Sequence, residues 1–350
     1  GVSVENMQNG VSAEFQTNEP LGVFLLEDKI LIGEHIFGRN VIIKPNDPYV
    51  FYVDKNGYRG YLQLSVRNDN SCLEAINHVP LESYLLGVVG AEMHSCWEPE
   101  ALKVQAVVAR TYGLFIKNRF GQWRNWDVSR NQSNQVYNGL KTEAVTVKRA
   151  VLETAGKVLI CPHSNGEELI FPTYYSSSCG GHTEDAALVF GNLNDKPRGL
   201  GGVQCPYCED IARQSDFHWK PVTFTMEQIN ERLTKRYDSL KDLETIVDLE
   251  VTQMGYLDRI TRVHLIGKNK KRDWLRGEDF RLTLDPSGRK LKSTLFKIKR
   301  TGDTFKFYDG CGFGHGVGLC QCGAQGMARN GKSYRRILEH YFPDSKLITI

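Results

Sequence analysis

Hydrophobic and polar positions along the first 78 residues alternate in short runs. Val23–Leu26, 41–44, Val50–Val53 and Tyr61–Val66 are rich in Val, Ile, Tyr and Phe, and turns such as Asn46-Asp47-Pro48 and Asn56-Gly57 separate them. Runs of this length bounded by turn residues predict β-strands, so 1–78 reads as a β-rich N-terminal region of meander or barrel-like form. From Pro80 the period changes. Residues 81–86 have helical spacing, and a break follows at His94-Ser95-Cys96-Trp97. Glu98-Pro99-Glu100 then opens a helix, with proline in the first turn and acids at the positive end of the dipole. Leu102, Ala106, Ala109 and Tyr112 give it one apolar stripe, ending near Phe120-Gly121. A helix is expected at 143–154, and strands at 158–161 and 169–175. The stretch 176–216, rich in Gly, Ser, Cys and Asn, reads as a long functional loop. Beyond it the pattern predicts a helix at Met226–Arg236 and strands at 245–254, 259–266 and 291–307. A glycine-rich segment, 310–323, breaks regular structure before two final helices at 323–329 and Tyr334–Tyr341. The fold class is α+β: a helical unit packed with β-rich segments. The domain division is 1–78 against 79–350, with a variable insert at about 184–310.

Composition narrows the function classes. The 350 residues are 41% hydrophobic and 24% charged, an ordinary globular balance that excludes a disordered or collagen-like chain. Against 44 Lys+Arg stand 41 Asp+Glu, and the resulting +3 is too weak for general nucleic-acid binding. The longest apolar run, 84–91, falls far short of the ~20 residues of a membrane span. The start at Gly1 rather than Met sets the expectation of a removed leader or membrane anchor. Nine cysteines is an odd number, and they cluster, which favours a metal site or local functional loop over a framework of disulfides.

Four segments carry chemistry. In Gly87-Val88-Val89-Gly90-Ala91-Glu92-Met93, Glu92 ends an apolar run. It is either a solvent-facing acid at a helix end or a carboxyl whose pKa is raised by apolar surroundings, able to donate a proton at neutral pH. Arg110 follows almost two turns of nearly uncharged helix, so it is either paired with a buried acid or aimed at a ligand. Cys179 and His182 form C-x2-H, Cys205 and Cys208 form C-x2-C, and 22 residues separate the pairs. Such ligand pairs suit tetrahedral structural Zn²⁺, with two disulfides or free thiols as the alternative. The zinc would staple the loop that holds them. The fourth segment, 310–323, has six glycines in fourteen residues, and His315 within it has no bulky neighbour, leaving its imidazole accessible. No Lys-Ser/Thr follows these glycines, which sets a phosphate loop aside. Cys311, His315, Cys320 and Cys322 are a further candidate metal set.

The stretches VPLESYLLGVVGAEM (79–93), WEPEALKVQAVVARTYGL (97–114), SNQVYNG (133–139), YYSSSCGGHTE (174–184) and FGHGVGLCQCGAQGMARNGKSYRRILEHYFP (313–343) together resemble the SpoIID/LytB family of bacterial cell-wall proteins. They stand in the family's order. Cys320 and Cys322 replace its common Ser and aromatic residue, Cys311 stands where Gly is frequent, and His94 replaces its common Pro. The resemblance implies that 79–350 is a catalytic domain and that the protein is a lytic transglycosylase. Its substrate would be peptidoglycan glycan strands stripped of stem peptides, and its products would have 1,6-anhydro-muramic ends. The alternative is a non-catalytic wall-binding protein that enhances an amidase, or a zinc-stapled scaffold in an envelope complex. Glu92 takes the place of the catalytic acid, with an optimum expected between ~4.3 and neutrality. Arg110, Gln135, Tyr137, Tyr175, Ser177, His315 and Gln321 match motif positions for glycan binding or support of Glu92. The implied setting is extracytoplasmic: the cell envelope, periplasm or intermembrane space.

Overall fold

The computed structural model describes residues 1–16, 19–46, 49–163, 166–191 and 197–350. Asp47 and Pro48 of the expected first turn, and 192–196 of the expected long loop, lie outside the described residues. Helices, antiparallel sheets and a short parallel strand pair make an α+β chain. It divides into two compact units: Gly1–Ser95 with Ile116–Ala155, and Cys96–Phe115 with Gly156–Ile350.

The first unit opens with a five-stranded antiparallel sheet in the order Leu73–His78, Tyr61–Val66, Asn40–Pro45, Val2–Asn6, Ser12–Phe15. Alternation places Val4, Val41, Leu64 and Val66 on one face, and Ile30, Ile32 and Phe37 from the meander Val23–Leu26, Lys29–Ile32, His35–Phe37 close over them as a core. The sheet leads into the helix Leu81–Glu92, which buries Leu85, Gly87, Val88 and Val89. Its glycines are there for close approach. A Cβ at Gly87 would stand 2.5 Å from the Tyr137 ring, and one at Gly90 only 1.9 Å from the Thr142 carbonyl oxygen. The backbone of Gly139–Thr142, a turn of 3₁₀-helix, therefore lies directly on the helix, and Thr142 Oγ1 donates to the Gly87 carbonyl at 2.8 Å. Arg59 clamps the same segment through a bidentate pair with Glu143, at 2.8 and 2.7 Å.

In the second unit the helix Pro99–Phe120, as far as Phe115, is buried on nearly every side: Ala101, Leu102, Val104, Gln105, Ala106, Val107, Val108, Ala109, Arg110 and Thr111 are all 0% exposed. The single apolar stripe expected from the sequence understates it. A helix apolar all round is a core helix, and its polar side chains bond to neighbouring backbone. Thr111 Oγ1 accepts from Leu159 N at 3.0 Å, and Thr173 Oγ1 donates to the Val108 carbonyl at 2.9 Å. The strand Lys157–Pro162 runs between Glu168–Ile170 and Lys346–Thr349.

Residues from about 218 onward have a core of their own, including Phe224, Ile229, Leu233, Val263, Leu265, Phe280 and Phe307. The helix Met226–Arg236 starts as expected, and Thr225 and Gln228 close a reciprocal capping box. The expected single strand at 291–307 is a hairpin, Leu295–Thr301 with Thr304–Cys311, turned at Gly302 (φ +59°) and Asp303. The helix Gly277–Leu284 and the closing strand Lys346–Thr349 escape the sequence pattern. The long loop contains a short helix, Ala186–Phe190, which Asp185 caps by accepting from Ala187 N. Among the described residues no helix is long and apolar enough to cross a membrane.

Candidate functional site

In the first unit Glu92 is the last residue of its helix and is half-buried. Val136 donates its backbone N–H to Glu92 Oε1 at 2.9 Å, which fixes the carboxylate against the 133–139 segment. The residues flanking Val136 are held from both sides. Gln135 is fully buried and its Oε1 accepts from Tyr84 Oη at 3.1 Å. Tyr137 is 5% exposed, its hydroxyl donates to Asn77 Oδ1 at 3.2 Å, and its ring lies 5.0 Å from that of Tyr84 and 6.0 Å from that of Tyr58. Burial pushes the Tyr137 phenol far above its ordinary range. Gln135 and Tyr137 are thus enclosed groups that anchor the loop bonded to Glu92, and neither offers a face to a sugar. Tyr84 and Asn77 belong to the same network. Both were invisible as site residues in the sequence, because only the fold brings these partners together.

In the second unit two motif segments run side by side. Tyr175–Ser176 pairs in parallel with Leu319–Cys320, Ser178 bridges Phe313, and Glu184 N donates to the Gly316 carbonyl at 2.7 Å. Tyr175 and Ser177 are half-buried. His315 is not the accessible imidazole that its glycine neighbours suggested. It is half-buried, with the Phe190 and Tyr174 rings 5.3 and 6.1 Å away, and its Nδ1 accepts from Val317 N at 3.0 Å. Burial lowers its pKa to about 4, against the opposing pull of Glu278. Gln321 is 6% exposed and donates to Gln105 Oε1 at 3.3 Å. Arg110 donates to the Lys157 carbonyl at 3.1 Å, tying its helix to the strand Lys157–Pro162, so a backbone acceptor takes part of the place that sequence reasoning gave to an acid or ligand.

The pairing of these segments gathers four buried thiols. The Sγ atoms of Cys179, Cys205, Cys208 and Cys320 all lie within 4.8 Å of one another, and Cys179 and Cys208 are 3.8 Å apart. The sequence spacing put His182 in this set. That assignment is corrected: His182 Nδ1 is engaged with the Thr183 carbonyl at 2.6 Å and its ring stacks on Tyr256 at 4.0 Å, while Cys320 supplies the fourth sulfur. Cys320 was legible as a metal ligand only in a different grouping, with Cys311, His315 and Cys322.

The donor set fits a metal. A tetrahedron with metal–sulfur bonds of ~2.3 Å has sulfurs roughly 3.8 Å apart. Cys320 Sγ accepts from two backbone N–H groups, of Cys179 at 3.3 Å and Gly323 at 3.4 Å, the kind of bond that steadies a thiolate. The Tyr341 hydroxyl lies 3.0 Å from Cys205 Sγ. Thiol hydrogen bonds with Cys205 and Cys208 push Cys179 well up, burial pushes Cys320 well up, and the bond from Cys179 holds Cys208 far below the usual thiol range.

Comparison with known proteins agrees with the motifs. A family model described as Stage II sporulation protein matches residues 69–161, and one described as a domain of unknown function (DUF8618) matches 206–318. An uncharacterised protein of Brachyspira hyodysenteriae is 31% identical over 309 residues, covering 88% of this chain and 76% of its own length. Stage II sporulation protein D of Bacillus amyloliquefaciens is 31% identical over 282 residues, 77% of this chain and 74% of that protein. The amidase enhancer of Bacillus subtilis is 27% identical over 309 residues, 75% of this chain and 40% of that protein.

Proposed function

This chain belongs to the stage II sporulation protein D family, and on that premise we propose that it is a lytic transglycosylase of peptidoglycan glycan strands lacking stem peptides. The observation that carries the reading is the positioned carboxyl of Glu92, which accepts at 2.9 Å from the backbone N–H of Val136 in the next motif. A hydrolase of the usual kind needs two carboxyl groups. Here the muramic acid's own C6 hydroxyl replaces water, so one suffices. Glu92 gives its proton to the glycosidic oxygen as that bond to C1 breaks. The C6 oxygen then bonds C1, and its proton passes to the Glu92 carboxylate. The products are a free hydroxyl on one strand and a 1,6-anhydro-muramic end on the other, and the enzyme returns to its starting protonation state.

Gln135 and Tyr137 position the loop that holds Glu92. Tyr175 and Ser177, half-buried on the second unit, remain the side chains suited to touch glycan. Cys179, Cys205, Cys208 and Cys320 would hold structural Zn²⁺. A closed set of four protein ligands leaves no position for substrate, so a metal there would pin the 174–184 segment and supply no catalytic chemistry. The substrate places the protein on the extracytoplasmic side of the membrane, with a cell-wall amidase or an envelope complex as partner.

A second reading, a non-catalytic enhancer of an amidase, is favoured by the likeness to the amidase enhancer. Digestion of denuded strands, with mass spectrometry for anhydro ends, separates the two. Wild type should produce such ends and Glu92→Gln should not. If wild type produces none from any glycan but stimulates an amidase, the second reading stands.

A further inference from the structure

The first unit carries an aromatic and cationic shelf that the proposed mechanism does not use. Trp123 is 82% exposed and Phe120 39% exposed. Between them in sequence the chain turns at Gly121–Trp123, which points large rings outward rather than into a core. Arg124 stacks its guanidinium between two rings, 4.9 Å from the centre of Phe120 and 4.2 Å from that of Trp126, and no acid pairs with it among the described residues. Arg119 lies 5.5 Å from the centre of the Phe120 ring. Asn125, next in the chain, lines a polar cleft of about 620 Å³ whose other walls include Arg39, Gln63, Arg67 and Asn68. The acids on that wall, Asp69 and Glu74, leave it mixed in charge, and Asp69 is taken up by Arg67 at 3.8 Å and Ser71.

An exposed ring at Trp123 and, two residues along the chain, a cleft of amides and guanidinium groups at Asn125 suit a ligand with apolar faces and hydroxyl edges. A bilayer would meet polar Asn and Gln where it needs apolar side chains. A pyranose strand has the required form. Once its stem peptides are gone, every muramic residue also exposes a lactyl carboxylate, the partner that the stacked guanidinium of Arg124 lacks. We propose that the shelf formed by Trp123, Arg124 and Trp126, with the cleft beside Asn125, is a second glycan-binding site that recognises strands stripped of their peptides. Trp123 stacks on a sugar face and Arg124 binds a lactyl carboxylate. The site makes lack of stem peptides a feature that binding itself selects. This inference rests on glycan being the substrate, and its test is independent of cleavage.

The full chain, with Trp123→Ala and Arg124→Gln variants, is titrated with two probes: denuded glycan strands, and chitooligosaccharides, which have the same backbone without lactyl groups. Trp123→Ala should weaken both about tenfold, the scale of one lost aromatic platform with its hydrogen-bonded sugar. Arg124→Gln should weaken denuded strands alone and flatten the salt dependence of their binding. Trp123 is solvent-exposed, so its loss leaves folding intact, and the two variants check each other. Binding by both variants within twofold of wild type would overturn the site. So would equal losses on both probes for Arg124→Gln. Anhydro-end production is scored in parallel. If wild type makes none, the catalytic reading fails, while the ratio of the two affinities still decides this one.

Discussion

Replacing Cys320 by Ser tests the correction that separates the structure from the spacing of the sequence. Cys320 is fully buried, its sulfur lies within 4.8 Å of three other thiol sulfurs, and it accepts two backbone N–H bonds. Four-ligand structural zinc is worth ~10–16 kcal/mol in small domains. Shared over four ligands, one sulfur carries about 2.5–4 kcal/mol, or ~10²–10³ in affinity. Ser keeps the size and can still accept the two N–H bonds, so the loss reports the metal–sulfur bond rather than a broken backbone turn. His182→Ala removes a ring stacked on Tyr256 and a bond to the Thr183 carbonyl, neither of which reaches the sulfur set. It should keep one zinc per chain with affinity within a few-fold of wild type. Elemental analysis gives the stoichiometry, and competition with a chromophoric chelator gives the affinity. A protein that loses its metal on His182→Ala but keeps it on Cys320→Ser would refute the assignment. Metal-free protein with Cys205 and Cys208 joined in a disulfide would remove the metal centre altogether.

Glu92→Gln keeps the shape and can still accept from Val136 N, yet has no proton to give; anhydro-end formation should fall by ~10²–10⁴, measured by mass spectrometry, while strand binding persists. Gly90→Ala places a Cβ 1.9 Å from a backbone oxygen and should destabilise the first unit by ~1–3 kcal/mol in urea unfolding; a change under ~0.5 kcal/mol would contradict the close packing. His315 gives a pH signature. Its folded pKa, about 4, lies below the ordinary 6.5, so the unfolded chain takes up the proton first as pH falls. Its contribution is neutral above pH 6.5 and is lost progressively between 6.5 and about 4, by at most ~3 kcal/mol. His315→Asn should flatten urea stability across that window; an unchanged slope would place the titration elsewhere.

Local chemistry made much of this chain legible. Proline and acids fixed the start of the helix Pro99–Phe120, the period of the apolar residues fixed Met226–Arg236 and Tyr334–Tyr341, and Val50–Val53 and Tyr61–Val66 stand where alternation put them. These are signals within a few residues, read against the rise and period of one element. The same holds for Glu92, which is the last residue of its helix and ends an apolar run. Where a turn is carried by two residues the signal was too short: Gly302 and Asp303 split an expected strand into a hairpin.

The ligand set, the fate of the motif side chains and the core were decided by tertiary structure. C-x2-H spacing at Cys179 and His182 satisfied a rule about neighbours in sequence, but a tetrahedron is a condition on neighbours in space. The parallel pairing of Tyr175–Ser176 with Leu319–Cys320 brings Cys320 across 141 residues to Cys179 and leaves His182 to stack on Tyr256. Arg110, Gln135 and Tyr137 matched motif positions equally well, yet each is enclosed by groups that no spacing rule connects to it. Burial depends on what packs from elsewhere in the chain. Sequence thus named candidate residues, and long-range packing decided which of them are enclosed and which thiols meet.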